Sequence, residues 1–257
     1  MRSFVAFFKK ELMESLRGAR VLGLGLIFIA LGFMNPAITL MTPWMMELLA
    51  EELGELSGVL GALEAHAWMS WTQQFKNIPM ALFAFVFFYS NTFTREYNSG
   101  TLVLMLTKGL ARYKVLLSKT AVMALVWSVG YWLCFGITYG CTAVLWDNGD
   151  VQNLFVANVN WWLFGMFTIA LIVLFSVIFK SYVGVLMGTG GSILALYVIS
   201  LLPKIAKYFP TTLMNSAALL VGAETASDYT WTIIITAILT AACIIAAIPV
   251  LNKKEIS

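Results

Sequence analysis

The sequence predicts an all-α integral membrane protein with six transmembrane helices, and three observations carry that prediction. First, 60% of its 257 residues are hydrophobic and only 11% are charged, against roughly 45–50% and about 25% in ordinary soluble domains. A soluble chain this poor in charge could not cover its surface with polar groups. Second, the apolar residues fall in runs near the roughly 20 residues that a helix needs to cross a hydrocarbon core of about 30 Å. Third, the charges are sorted. Thirteen of the 16 Lys and Arg residues fall on one side of the predicted spans, and nine of the 13 acidic residues fall on the other. The positive-inside rule then places both termini in the cytoplasm. The net charge of +3 is too small to argue for a nucleic-acid partner.

Taken in order, residues 1–20 come first, with Phe4, Phe8, Leu12 and Leu16 every four residues, Phe7 beside them, and Lys9, Lys10, Glu14 and Arg17 elsewhere on the wheel. That pattern predicts an amphipathic helix lying along the membrane, its basic face toward anionic lipid. It has no compact apolar block and no small-residue cleavage site, so a cleaved signal is not expected. Val21–Thr42 is the first span and Ile78–Phe93 the second. Between them, in the external segment 43–76, Trp44–Glu64 reads as a helix with Glu47, Glu51 and Glu55 in an acidic ridge and Glu52 beside it. Gly54, Gly58 and Gly61 weaken that helix by about 1 kcal/mol each relative to Ala. Val115–Trp146 is too long for one untilted span and too short for two, which predicts one helix whose first turns lie at or below the headgroups. Asn160–Phe179 and Tyr182–Leu202 are spans four and five, separated by only Lys180 and Ser181, and Tyr229–Leu251 is the sixth. The segment 203–230 holds an apolar piece too short to cross, read as a surface helix or a shallow re-entrant element; backbone that dips in must be covered by protein.

No catalytic constellation stands out. His66 is the sole histidine and lies on an external loop, so neither a multi-histidine metal site nor a His-based dyad has support. Cys134, Cys141 and Cys243 read as small core hydrophobes; the first two, about 10 Å apart on one helix, are too far for a disulfide. Gly188-Thr189-Gly190-Gly191 lacks the lysine of a phosphate-binding loop, and Gly184-x-x-x-Gly188 and Gly136-x-x-x-Gly140 read as close helix packing. No acid or base falls at the centre of a span, whereas an ion-coupled carrier needs such groups.

The stretch after the second span is the most specific. Residues 94–119 read TREYNSGTLVLMLTKGLARYKVLLSK. Asn98 or Ser99 can cap a short helix from Gly100, Leu102, Leu104, Met105 and Leu106 make it apolar, and Gly109 can end it. A short apolar helix in the cytosol needs a cover, either membrane or a partner protein. An acidic residue, then Gly-Thr-Leu, then a leucine-rich turn, then an Arg and a Lys entering the third span resembles the type-2 permeases of ATP-binding-cassette transporters, chiefly the bacterial exporter branch. Here those residues are Glu96, Gly100, Thr101, Leu102, Leu104, Leu106, Arg112 and Lys119. Gly109-Leu110-Ala111 stands where the family often has Pro-Val-Ser.

The resemblance implies a single permease domain over 1–257 in a bacterial plasma membrane. It makes residues 1–20 an elbow helix and 94–114 a cytoplasmic coupling segment, with Glu96, Gly100, Thr101, Leu102, Leu106 and Arg112 meeting an ATPase. It further implies a dimer, with itself or a paralogue, seamed along spans one and five at Gly25, Gly184 and Gly188. Each permease would dock on a separate ATP-binding-cassette ATPase subunit that holds ATP and Mg, with no cofactor or metal on this chain. Exporters of that branch carry antimicrobial or amphipathic peptides, drugs or lipids. Peptide export is the leading expectation, with Glu47, Glu51, Glu52 and Glu55 as a contact for cationic cargo. A non-transporting scaffold and a secondary carrier are the rival classes.

Overall fold

The computed structural model describes residues 2–53, 64–98, 111–202 and 204–253. All its described regular structure is helical. Helix α1 (Arg2–Arg17) stops at Gly18, whose N–H bonds back to the Ser15 carbonyl at 3.1 Å. It docks on the bundle through Phe7, Phe8, Glu11 and Leu12, while Leu16 is exposed. Each four-residue step overshoots a full helical turn by about 40°, so the run from Phe4 to Leu16 drifts around the wheel and its last member leaves the inner face.

Helix α2 (Ala19–Leu53) runs 35 residues through Pro36 and Pro43. The separate external helix expected from Trp44 is therefore corrected as far as Leu53: those residues continue the first span. Residues 54–63, with Glu55 and the three glycines, lie outside the described residues. Continuity through Pro36 has a visible cause. A proline deprives the carbonyl four residues earlier of its donor, and the Thr138 hydroxyl, from a neighbouring helix, donates to that Gly32 carbonyl at 3.1 Å.

Next come α3 (Ala67–Tyr89), the short α4 (Thr94–Asn98), α5 (Arg112–Leu145), α6 (Leu154–Ile178) and α7 (Tyr182–Ser200). After three 3-10 turns and α8 (Ala217–Leu220), α9 (Thr230–Lys253) closes the chain. Five helical stretches are long and apolar enough to cross a membrane: Ala19–Leu49, Arg112–Leu145, Leu154–Ile178, Tyr182–Ser200 and Ala226–Lys253. Helix α3 is not among them, because its first half carries Ser70, Thr72, Gln73, Gln74, Lys76 and Asn77. The second span expected at 78–93 is thus the apolar half of a longer helix that packs on α2, α5 and α6. Span three is one helix, as its length requires, and span four starts six residues earlier than expected, at Leu154, after Asn153 in the left-handed region. The α6–α7 turn is closed by Ser181, whose hydroxyl accepts the Gly184 N–H at 3.1 Å. Within 204–229 the middle is covered by protein, with Pro210, Leu213, Leu219 and Leu220 buried, while Tyr208 and Val221 on either side of it are exposed; its turns pack on α6 and α9.

The bundle centre is aromatic. Trp127 of α5 meets Phe28 of α2 and Phe85 of α3 edge-on, with ring centroids 5.7 and 5.6 Å away. On α6, Gly165 makes room for it, since a Cβ there would run into the indole. Gly165→Ala should therefore cost about 1–3 kcal/mol by overpacking and lower the melting temperature of the detergent-purified protein. Gly136→Ala, with nothing within 4 Å of its added Cβ, should not lower it. Thermal unfolding of the two variants side by side checks the pair.

Candidate functional site

Two polar systems sit at opposite ends of the aromatic centre. At the end where α1 docks, the Lys119 ammonium donates to Glu11 Oε2 at 2.6 Å and lies 2.8 Å from Glu96 Oε1. The three side chains are only 3%, 9% and 13% exposed respectively, so this is a buried ion cluster. It joins α1, α4 and α5. The Phe93 ring flanks the ammonium at 5.9 Å, and the Ser15 and Tyr89 hydroxyls meet at 3.2 Å. A cleft of about 460 Å³ opens there, lined by Lys10, Glu14, Arg20 and Arg95 together with the cluster itself.

Burial pushes the Glu96 carboxyl above the ordinary carboxylate range, against the downward pull of Lys119. On α1, burial alone would lower Lys10, but its hydrogen bond to Glu14 and the Glu11 charge leave it raised. Glu14 is lowered by the same hydrogen bond.

At the opposite end the groups are neutral. Gln73 donates to Asn77 at 3.3 Å, Asn77 to Asn35 at 2.8 Å, and Asn35 to Thr138 at 3.2 Å. Thr138 then donates to Gly32, the carbonyl freed by Pro36. A parallel set has Gln74 donating to Asn158 at 2.8 Å and the Tyr131 hydroxyl donating to the Asn158 carbonyl at 2.9 Å. Ser70 pairs with Thr142 at 2.9 Å, and the Trp71 indole donates to Asn148 at 3.0 Å. Asn160 of α6 reaches Ser216 at 3.0 Å. Buried polar groups require such partners, and in an apolar bundle the helices must supply them to one another. Among the described residues no group of three or more His, Cys, Asp or Glu side chains is placed to hold a metal ion.

The residues singled out from sequence are scattered by this geometry. Glu96 is drawn into the ion cluster, and Arg112 donates to the last carbonyls of α9, Leu251 at 2.8 Å and Asn252 at 3.0 Å, where a cation also suits the helix dipole. Gly100, Thr101, Leu102, Leu104 and Leu106 lie outside the described residues. Glu47 is exposed on the far part of α2. Gly25 has nothing within 4 Å of the side a Cβ would occupy, whereas Gly184 faces Phe179 and Ser181 at 2.9 Å and Gly188 faces Phe175 at 2.8 Å, all of their own chain. Gly136 and Gly140 are open, so the close packing expected of that pair is not made within this chain. Sequence reading passed over Glu11, although a lone acid between Phe7, Phe8 and Leu12 on a docking face is itself a signal of a buried partner. It also passed over Asn35 and Asn158.

Removing one member of a buried ion pair strands the other at about 3–5 kcal/mol, so Lys119→Met should lower the melting temperature steeply. Lys10→Ala removes contacts to exposed Glu14 at 3.0 Å and to Glu11 at 3.1 Å, but it leaves Glu11 paired with Lys119 and takes away a half-exposed side chain, so it should lower the melting temperature far less. For Glu96 the raised pKa means that folding favours the protonated acid. Its contribution is complete below the ordinary carboxylate value of 4.5 and is lost as pH rises through its raised value. The melting-temperature advantage of the native chain over Glu96→Gln should therefore shrink from pH 4 upward, which a pH series of thermal melts reads directly.

A model of the family described as ABC-2 family transporter protein matches residues 5–254. No curated protein and no solved structure matches the chain. The match takes in α1, every apolar helix and the segment between α3 and α5, so the chain belongs to the ABC-2 transporter family, as a multi-pass membrane permease.

Proposed function

We propose that the chain is the transmembrane subunit of an ATP-driven exporter, dimeric, docked through its 94–114 segment on a separately encoded ATP-binding-cassette subunit. The observation that supports it most is the family match over 5–254 combined with a buried ion cluster that roots Glu96, the first residue of the proposed coupling motif, against α1 and α5. The partner supplies ATP and Mg, and this chain supplies the path. In this reading α3 is the sixth span, its polar half enclosed by its neighbours, and both termini are cytoplasmic, in a bacterial plasma membrane. The outward faces of α2 and α7 are apolar and uncovered, with Leu26 67% and Met187 69% exposed. They form the seam with a second copy or a paralogue, and Gly25 leaves that side of α2 open. Amphipathic peptides are the cargo we favour, because exposed Glu47 begins an acidic stretch that a cationic peptide would meet and that salt would screen. Drugs or lipids are the alternative cargo of the same machine.

Leu102→Asp places a charge on the apolar face proposed to seat in the ATPase, where losing a buried anchor costs about 2 kcal/mol or more. It should strip the ATPase from the purified complex while the permease still inserts. Undiminished co-purification would count against docking through this segment. In a background lacking the three native cysteines, Leu26→Cys together with Met187→Cys should give a disulfide-linked dimer on a non-reducing gel. A chain that stays monomeric there would rule out this seam.

A further inference from the structure

We propose that Lys119 is a latch that carries movement of the chain around Glu96 into α1, so that α1 moves with the coupling segment during the ATP cycle. This rests on the exporter reading above. The geometry is specific. One ammonium, with three donors, reaches a carboxylate of α1 at 2.6 Å and a carboxylate of α4 at 2.8 Å, from the second turn of α5. The Lys119 side chain is only 3% exposed, and separating a charge so enclosed from its partners is more costly than separating an exposed pair. The exposed Lys10–Glu14 pair, by contrast, joins two residues of the same helix at 3.0 Å and can transmit nothing between elements. A displacement of Glu96 either breaks its contact with Lys119 or takes Lys119, and through it Glu11, along with it.

A stabilising role alone would not need one lysine shared by two elements; a pair would do. The shared arrangement permits a direct test. Glu11→Met cuts the arm from Lys119 to α1, together with the Lys10–Glu11 contact at 3.1 Å within α1, and leaves Lys119 paired with Glu96.

The experiment uses the full chain co-expressed with a candidate ATP-binding-cassette subunit from the same source, reconstituted in nanodiscs of phosphatidylethanolamine and phosphatidylglycerol. A bimane fluorophore is placed on Lys9→Cys, on the exposed face of α1, in a background lacking the native cysteines. Trapping with ATP and vanadate should shift the bimane emission in the parent complex. The shift should vanish in Glu11→Met, with the ATPase still bound and hydrolysis within about twofold of the parent. A shift that survives in Glu11→Met overturns the latch. So does a parent complex that hydrolyses ATP with no shift at Lys9, although the exporter reading would then stand. Loss of the ATPase from Glu11→Met also overturns it, since the cluster would then serve assembly and not transmission. Failure of the ATPase to co-purify with the unaltered chain would overturn the exporter reading, and the latch with it.

Discussion

A lysine can be enclosed beside an apolar bundle only where carboxylates meet it, and that requirement organises one whole end of this molecule. Lys119 is buried because Glu11 and Glu96 converge on it at 2.6 and 2.8 Å. To reach it, α1 must lie with Glu11 inward, which turns Phe7 and Leu12 onto the bundle and Leu16 away. The turn after α3 must bring Glu96 back over the start of α5. An exposed salt bridge imposes nothing comparable, because solvent can replace either partner. The position of α1 is thus a consequence of one desolvated charge.

The opposite end solves the same problem without ions. Asn35, Asn77, Thr138, Gln74 and Asn158 are neutral, and each finds its partner on another helix. Placing a neutral amide at membrane depth is cheaper than placing a charge there, and the Thr138 hydroxyl, which accepts from Asn35, supplies the donor for the Gly32 carbonyl that Pro36 leaves free. This is why α3 can be enclosed by its neighbours while falling short of the apolarity expected of a lipid-facing span. Its Ser70, Gln74 and Asn77 side chains face partner helices, whereas Lys76 is exposed, and the chain accepts a less apolar helix in exchange for a fixed register.

Much of this was legible beforehand, for identifiable reasons. Apolar run length located the five apolar helices because a bilayer demands it, and the Glu96 to Lys119 stretch pointed to the family because the motif is contiguous in sequence. The misreadings share a cause. The apolar stripe and acidic ridge of Trp44–Glu64 announce a helix but not where it begins, and its first ten residues prove to continue α2 through Pro43. The start of α3 was missed because hydropathy scores each residue as though it faced lipid. Glu11 escaped because its partner lies 108 residues away, a pairing that no local pattern encodes. Gly184 and Gly188 were recognised as packing residues, but small residues announce a close approach without saying whose, and here Phe175 and Phe179 of the same chain make it.

One element touches all three layers. Along α5, Lys119, Met123, Trp127, Tyr131, Cys134, Thr138 and Thr142 are all buried, and they recur every three or four residues, so they form a single stripe down one face. The first belongs to the ion cluster, the middle four to the aromatic centre, and the last two, with the Tyr131 hydroxyl, to the neutral hydrogen-bonded set. Between the ion cluster and that set, Met123 and Trp127 interpose apolar contact among the described residues. A close-packed aromatic centre transmits displacement as a solid does and not as a relay of protons. A displacement at Lys119 that reached Thr138 and the Gly32 carbonyl would therefore travel through α5 and its packing, where Gly165 and Gly130 let Trp127 and Phe28 sit against bare backbone. One helix thus carries the charge cluster at its start, the aromatic centre along its middle and the neutral hydrogen-bonded set near its end.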